Sequence, residues 1–337
     1  MSIERIEKII DSDLKKNGRI KVGDWEFSIG PKREIEPRTI GSLEAYLDKY
    51  TRAALPYPPI TYAERVLEIP SCLVRIDASL ETLANGAEIE KGIYEVEARP
   101  AGLGVFLTIA QRDNPETVKR FGEVFNQFEG FGGFVTLPSI GPRMEDTRTA
   151  AEILKLPFYE LDRTPPNDAL LWVRGGNEDR QNLGKIFDRL EHQSLCPVSG
   201  HGDKNYLLKM GLARLVNSPD KLPWDEGFVI KPLVGSKMDG VAIYLPPNRE
   251  REYFGKNPPQ GLSTRSKVLS LIEKGSRPFI FQKISLPMRE IDQYIIARLY
   301  FGWKLRENKW KFVGGLWNSR PNLRVHGASD ATFGLLY

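Results

Sequence analysis

Prolines and glycines interrupt this chain throughout its length. The sequence has 24 prolines and 30 glycines among 337 residues, which predicts many turns and argues against a helical bundle. Hydrophobic residues make up 41% of the chain and charged residues 27%, as in ordinary globular proteins. A chain of this length can bury a substantial core and form two or three lobes.

Charge and cysteine content favour a cytoplasmic protein. The net charge of +4, from 48 basic and 44 acidic side chains, is too small and too dispersed to indicate a nucleic-acid partner. Cys72 and Cys196 lie far apart, so the sequence predicts neither a disulfide framework nor a zinc site. The start of the chain lacks the apolar core of a secretion signal. No segment approaches the ~20 apolar residues that span a bilayer, so we expect no membrane partner. The sequence leaves the oligomeric state open.

Strand-like segments dominate most of the chain. Residues 1–66 mix charge with proline and are interpreted as an N-terminal extension, with a helix over 40–54, that packs on the main body. Alternating segments begin after this extension, and 169–174 is a short apolar run suited to a buried strand. The last third contains five further strand-like segments, at 227–232, 240–245, 278–284, 293–305 and 310–317.

Two of the alternating segments carry paired charges. Residues two apart in a strand point to the same face, so Arg75 and Asp77 project together, as do Glu95 and Glu97. If the two strands pair, three carboxylates and a guanidinium gather on one patch of sheet. Mg²⁺ prefers such carboxylate oxygens, completed by phosphate oxygens and water. A solvated strand face with cross-strand ion pairs is the alternative explanation, and the spacing alone favours it.

A second candidate site follows an apolar strand that contains Lys231. The strand leads into a loop bracketed by Gly235 and Gly240, and a lysine beside such a loop suits triphosphate binding. The segment is not a Walker A sequence, and the chain contains no GxGxxG. Taken alone, the segment favours a plain hairpin with a loop lysine over a triphosphate site.

Three further segments contain candidate binding residues. Lys204 lies near the start of a predicted helix, where a lysine is electrostatically unfavourable for the helix and suits an anion. The strand containing Gln282 ends at Pro287 and could form a hinge that contacts an adenine. Near the end of the chain, Arg320 and Arg324 follow a glycine pair and could clamp an anionic group.

Taken in order, these segments resemble circularly permuted ATP-grasp proteins, the glutathionylspermidine synthase-like amide ligases. The family has an Arg-x-Asp strand and then a Glu-x-Asn strand that runs into a Pro-Ala-Gly-like segment. Residues 75–77 and 95–102 are similar to both. The family then has four further motifs in order: an Asn-Lys helix start, a Val-x-Lys-Pro strand with a glycine-rich loop, a Gln-Glu-like hinge and a C-terminal Gly-x-x-x-Arg turn. Their counterparts are 202–208, 229–240, 282–287 and 315–320.

The resemblance implies an α/β (α+β) fold of the circularly permuted ATP-grasp type. It places the metal-binding part at 67–150, a small pre-ATP-grasp-like α/β segment at 151–202 and the nucleotide-binding lobes at 203–337. It implies that Mg²⁺ is held by Asp77, Glu95 and Glu97, that Arg75 faces the transferring phosphate, and that Arg320 binds an acyl phosphate or substrate carboxylate. The ATP-binding residues that it implies are Lys204, Lys231, Gly235, Ser236, Lys237, Gly240, Gln282, Lys283 and Ile284.

The implied activity is ATP-dependent ligation of a carboxylate to an amine through an acyl phosphate, with small-molecule or peptide substrates. Two departures from the family pattern bear on it. Glu97 stands where the family usually has asparagine, and the glycine loop lacks the family's Arg-Glu pair, with Lys237 in a position to supply a cation. A nucleotide-binding protein that has lost turnover is therefore the first alternative. A structural or partner-binding protein without nucleotide is the second.

Overall fold

The computed structural model describes most of the chain with intervening gaps. The described residues are 18–54, 72–79, 92–97, 100–136, 143–160, 170–174, 207–208, 210–216, 218–233, 240–255, 259–275, 278–290, 292–323 and 331–337. Lys204, Gly235, Ser236, Lys237 and Arg324 lie outside these ranges.

Helices cover the sheets of the protein. The six helices of the described residues are α1 (Pro37–Ala54), α2 (Leu103–Asp113), α3 (Pro115–Asn126), α4 (Arg143–Leu154), α5 (Pro247–Phe254) and α6 (Arg265–Lys274). Local signals mark the starts of two helices. Pro115 is the first residue of α3, and the Thr264 hydroxyl caps α6 by accepting a hydrogen bond from the Lys267 backbone N–H at 3.3 Å. Across the part of the chain that can be described, no helix combines the length and apolar character needed to cross a membrane.

The described residues also form fifteen strands. They are β1 (Arg19–Val22), β2 (Trp25–Ile29), β3 (Leu73–Ala78), β4 (Ile93–Glu97), β5 (Phe131–Thr136), β6 (Phe158–Glu160), β7 (Leu170–Arg174), β8 (Arg214–Val216), β9 (Phe228–Pro232), β10 (Ala242–Tyr244), β11 (Phe279–Lys283), β12 (Met288–Glu290), β13 (Gln293–Lys304), β14 (Lys309–Arg320) and β15 (Thr332–Leu336).

The strands form three sheets. The large sheet has the order β1-β2-β15-β14-β13-β3-β4, with β12 also paired to β13, and is antiparallel except where β15 meets β2. An antiparallel sheet has the order β10-β9-β11-β8, and a parallel sheet has the order β6-β5-β7. This mixture of helices with parallel and antiparallel strands confirms the predicted α/β class.

Two segments of the chain join sheets other than the ones that their positions in the sequence suggest. The segment interpreted as an N-terminal extension contributes β1, β2 and α1, and β2 pairs with β15 at the other end of the chain. Strand β5 and helix α4, which lie within 67–150, belong with the parallel sheet of β6 and β7. The observed sheets are therefore assembled from segments distant in sequence.

The main core lies between the large sheet and helices α2 and α3. Tyr300, Phe106 and Phe121 are fully buried there and contact one another. A separate core, built around Phe228 and Val268, joins the four-stranded sheet to α6. Burial of apolar side chains of this size contributes roughly 1.5–3 kcal/mol each.

Helix side chains cover two strand edges of the large sheet. Among the described strands, β15 pairs with residues 315–319 of β14, and none pairs with the first half of β14 on that side. There Glu44 and Asp48 of α1 accept the backbone N–H groups of Phe312 and Trp310, each at 2.9 Å. Gln127 makes comparable bonds to the end of β13. These contacts satisfy edge groups that would otherwise be open to pairing with another chain.

Candidate active site

Strands β3 and β4 bring the predicted charged residues together. The antiparallel register sets Arg75 opposite Glu97 and Asp77 opposite Glu95. Directly opposed residues of an antiparallel pair share a face, so the four side chains lie on one face of the large sheet. The sequence predicts that these charged side chains gather only if their two strands pair, and the register shows that β3 and β4 do pair.

Arg75 is the buried centre of this group. Its guanidinium donates to both Asp77 carboxylate oxygens at 2.6 and 3.0 Å, lies 2.7 Å from Glu97 Oε2, and donates to the Ala101 carbonyl at 2.6 Å. Burial disfavours its charged form, but the charges of Asp77 and Glu97 outweigh that cost and raise the pKa of Arg75. Arg75 is therefore held as a fixed cation by two carboxylates.

A second buried arginine lies beside the first. Arg298 of β13 is opposite Asp77 in the register, and its Nε is 3.8 Å from Asp77 Oδ2. Within the described part of the chain, that Nε is buried without a hydrogen-bond partner. Burial, and then the charge of Arg75, lower the pKa of Arg298. Asp77 is thus shared by two guanidiniums, and the Arg298 Nε is a buried donor at this site.

Tyr300 closes the buried end of this face. It is opposite Arg75 in the register, and its ring stacks on Phe106 with 4.5 Å between centroids. Its hydroxyl is buried and finds no hydrogen-bond partner among the residues described. Burial raises the pKa of Tyr300 to about 12, so the phenol stays neutral at physiological pH.

The amino end of α2 is fixed next to Arg75. Gly102 adopts φ +84°, and its backbone N–H donates to Asp146 Oδ2 at 2.8 Å. The other oxygen of Asp146 accepts from the backbone N–H groups of Gly104 and Val105. A carboxylate from α4 therefore occupies the helix start, where negative charge is favourable. Because Arg75 holds the preceding carbonyl, α4, α2 and β3 form one connected unit.

The four-stranded sheet brings Lys231 to the acidic strand. Lys231 and Gln282 lie on the same face of this sheet, and Lys231 Nζ donates to the Tyr94 carbonyl of β4 at 2.8 Å. Gln282 is buried and donates to the Leu212 carbonyl at 3.2 Å. Lys283 lies on the opposite face and pairs with Glu226 at 2.8 Å. Of these predicted nucleotide residues, Lys231 is the one that meets the acidic strands.

The other predicted residues occupy the borders of this region. Ile284 packs with Ile243 and Tyr294 where the two sheets meet. Gly240 has φ +70° at the end of the glycine-bracketed segment, a conformation that favours glycine. Arg320 ends β14 opposite Tyr294, on the face that also carries Arg298.

The donor set of the acidic strands suits a hard cation. Asp77, Glu95 and Glu97 offer only oxygens, and three carboxylates against two guanidiniums leave a net charge of −1. Asp77 and Glu97 are turned toward Arg75, and in the described ranges no three His, Cys, Asp or Glu side chains converge as a metal cluster. Protein sites for Mg²⁺ commonly supply one or two carboxylates, with phosphates and water completing the shell.

Sequence reasoning missed Arg298, Tyr300 and Asp146. A signal existed for the first, because Arg298 interrupts a predicted strand that is otherwise apolar at neighbouring positions. Asp146 gave no such signal, since its role depends on the packing of α4 against α2.

Comparisons with known proteins find no matching protein-family model and no matching curated protein. Two solved structures are similar at low levels. The apo form of a glutathione synthetase-like effector from Globodera pallida is 12% identical with a TM-score of 0.44, covering 99% of this chain and 96% of that one. A provisionally assigned gamma-glutamylcysteine synthetase from Methylobacillus flagellatus is 10% identical with a TM-score of 0.44, covering 87% of this chain and 82% of that one.

Proposed function

We propose that the protein is an ATP-dependent carboxylate–amine ligase. A substrate carboxylate oxygen attacks the γ-phosphorus of ATP, the bond to the bridging oxygen breaks, and ADP leaves. The resulting acyl phosphate is attacked by an amine nitrogen, the C–N bond forms, and inorganic phosphate departs as the amine loses a proton. Such chemistry depends on positioning and charge neutralisation more than on a protein nucleophile.

The observation that carries this proposal is the bond from Lys231 to the Tyr94 carbonyl. It brings a lysine of one sheet against the strand that holds Glu95 and Glu97 in another. A cation facing a carboxylate strand across two sheets suits a metal-bound triphosphate, since the ammonium binds phosphate oxygens and the carboxylates bind the metal. Neither sheet alone would supply both functions.

The surrounding residues take distinct roles in this proposal. Glu95 and Glu97, with Asp77, would hold Mg²⁺, which supplies charge neutralisation of the phosphates when bound. Arg75 fixes the orientation of Asp77 and Glu97. Arg298 has the unused buried donor and would bind an anionic oxygen of the substrate.

We further propose that the fold is a circularly permuted ATP-grasp domain. The acidic strands β3 and β4 precede the lysine strand β9 in the chain, and the sequence motifs occur in the order of that family. The predicted division at 67–150, 151–202 and 203–337 is part of the same proposal, with the first of these segments contributing β5 to the parallel sheet. The remaining implied ligands, Lys204, Gly235, Ser236, Lys237, Gly240 and Arg320, await the same test.

A thermal-shift titration with a non-hydrolysable ATP analogue and Mg²⁺ tests the nucleotide site. A ligand at 100 times its Kd raises the folding stability by about 2.7 kcal/mol, so the melting temperature of the wild type should rise. Lys231→Met should abolish most of this rise. Lys274→Met is the matched control, because Lys274 is exposed at the end of α6. No rise for the wild type, or equal rises for both variants, would refute the assignment.

One observation favours a second candidate, a nucleotide-binding protein without turnover. Glu97 is engaged by Arg75 at 2.7 Å, so both side chains are committed to each other instead of to a ligand. ADP release in the presence of a panel of carboxylates and amines separates the candidates. Binding of the analogue without ADP release from any pair of substrates would support the second.

A further inference from the structure

Asn318 places a complete carboxamide in the interior of the large sheet. It lies in β14 and is fully buried, and neither Oδ1 nor Nδ2 forms a hydrogen bond with any of the residues described. A carboxamide can donate two hydrogen bonds and accept two, so burial in this state forfeits the bonds that both groups make with water. Buried polar side chains of native proteins are otherwise mostly satisfied. A ligand that pairs with both groups would account for a polar residue at this position.

The register places Asn318 on the face of the large sheet that carries the charged residues. Asn318 is opposite Ile296 in β13. Two residues further along β13, Arg298 is opposite Asp77 of β3. Opposed residues share a face, as do residues two apart, so the Asn318 and Arg298 side chains project from the same face. They are diagonal neighbours, which lie roughly 7–8 Å apart in an antiparallel pair, so one small ligand can contact both.

The two ends of this face are covered by different parts of the protein. Tyr300 stacks against helix α2 at one end, and Tyr294 packs against the four-stranded sheet at the other. Arg298 and Ile296 lie between these tyrosines along β13, and Asn318 is level with Ile296. The Asn318 amide therefore lies near the border between the large sheet and the four-stranded sheet. Ligand sites occur preferentially where two such units meet.

The surroundings of Asn318 favour a neutral group that is attached to a carboxylate. Ile296 and Phe333, which oppose Asn318 in the two neighbouring strands, are apolar. By register, the nearest charged side chains on this face are the cations Arg298 and Arg320. An apolar surrounding suits a ligand group that is uncharged at Asn318, and the two cations suit a carboxylate elsewhere in the same ligand.

The geometry of a carboxamide selects among neutral partners. A primary amide presents its C=O and one N–H side by side, so it can pair with both groups of the Asn318 side chain at once. A trans peptide group presents its C=O and N–H in opposite directions and can satisfy only one of the two. A ketone or an ester offers an acceptor alone and leaves Asn318 Oδ1 unpaired. The side chain therefore favours a primary amide over each of these groups.

We propose that Asn318 determines specificity for an acyl substrate that carries a primary carboxamide. The inference rests on the proposed ligase function, in which Arg298 binds an anionic oxygen of the substrate. The substrate carboxylate lies at Arg298, while Asn318 Nδ2 donates to the carbonyl of the substrate amide and Oδ1 accepts from its N–H. The substrate class is thus a short carboxylic monoamide, for which succinamate is a suitable probe.

Calorimetric titration of the wild type with succinamate and 4-oxopentanoate tests this assignment. The two carboxylates have nearly the same shape, and the second has a methyl group in place of the amide nitrogen. We expect succinamate to bind at least about tenfold more tightly, because 4-oxopentanoate leaves the buried Asn318 Oδ1 unpaired. N-methylsuccinamate, whose secondary amide is trans, should bind as weakly as 4-oxopentanoate.

Replacing Asn318 by leucine distinguishes ligand recognition from a role in folding. Leucine has a similar volume without the donor and the acceptor, so the preference for succinamate should disappear. The melting temperature should be no lower than that of the wild type, because an apolar side chain of similar shape replaces an amide that no described residue satisfies. Asn248→Leu, at an exposed position of α5, is the control and should keep the wild-type preference. A lower melting temperature with an unchanged preference for succinamate would assign the amide to the fold and overturn the inference.

Titrations with and without the non-hydrolysable ATP analogue and Mg²⁺ distinguish failure of this inference from failure of the proposed function. Equal binding of succinamate and 4-oxopentanoate, or binding of neither, would overturn the carboxamide site even if ATP binds. Loss of succinamate binding in the presence of the analogue would place the nucleotide at Asn318 and would also overturn it. An Asn318-dependent preference for succinamate in a protein that shows no ATP response would support the carboxamide site and count against the ligase.

Discussion

Arg75 and Glu97 occupy directly opposed positions on β3 and β4, and their side chains form an ion pair of 2.7 Å. The same guanidinium holds Asp77 through two hydrogen bonds. The pair therefore sets the orientation of two proposed metal ligands at once. Its glutamate stands where the ATP-grasp proteins that the sequence resembles usually have asparagine.

Replacing Glu97 by asparagine should weaken the fold. The change removes a charge partner of a nearly buried arginine but leaves Asp77 and the Ala101 carbonyl in place. We expect the free energy of unfolding to fall by about 1–3 kcal/mol in urea denaturation. Glu116→Gln is the control, because the Glu116–Lys119 pair is exposed and 3.7 Å apart, and such pairs contribute less than about 1 kcal/mol. Equal losses for both variants would contradict the structural role of Glu97.

Replacing Arg298 by methionine should weaken ligand binding with little change in the free energy of unfolding. Asp77 keeps Arg75 as its partner, and methionine removes a buried charge that is only weakly compensated, so the free energy of unfolding should change by less than about 1 kcal/mol. Affinity for a non-hydrolysable ATP analogue with Mg²⁺ and a carboxylate substrate should fall at least about tenfold. Calorimetry and urea denaturation on the same preparation measure both quantities. Arg112→Met, an exposed control, should alter neither. A large loss of stability with unchanged affinity would assign Arg298 a purely structural role.

The sequence predicted the strands of the site well because their signal is local. The alternating segment that contains Arg75 and Asp77 corresponds to β3, and the runs at 293–305 and 310–317 correspond to β13 and β14. Helix α2 escaped prediction, since seven of its eleven residues are buried and leave little amphipathic contrast. Strands β1 and β2 form a local hairpin that was not predicted, whereas the pairing of β2 with β15 at the other end of the chain has no local signal.

The residues of the site likewise divide into those with a local sequence signal and those that depend on the pairing of distant strands. Arg75, Asp77, Glu95 and Glu97 could be predicted because two-residue spacing reveals a shared strand face. The contribution of Arg298 required the pairing of β13 with β3, which no local pattern specifies.

The acidic side chains of α1 should protect the open edge of β14. Replacing both Glu44 and Asp48 by alanine removes the acceptors of two backbone N–H groups. Each lost bond should lower the free energy of unfolding by about 0.5–1.5 kcal/mol, and the exposed edge should promote self-association. Light scattering and urea denaturation detect these effects. The Glu44→Gln and Asp48→Asn pair keeps the acceptor oxygens and should retain most of the protection. If the alanine variant kept the wild-type scattering mass and full stability, the edge contacts would be incidental.

Tyr300 should make the protein less stable in alkali. Its pKa is about 12 in the folded protein against roughly 10 in an unfolded chain, because burial disfavours the phenolate. The folded state therefore retains the proton more tightly, so this contribution is complete below pH 10 and is lost as the pH rises from 10 to 12. Two pKa units correspond to about 2.7 kcal/mol. Urea denaturation between pH 8 and 12 should show a shallower decline for Tyr300→Phe than for the wild type. Tyr253→Phe, at an exposed position, should follow the wild-type curve. Parallel curves for the wild type and Tyr300→Phe would mean that the phenol is not buried in solution as it is here.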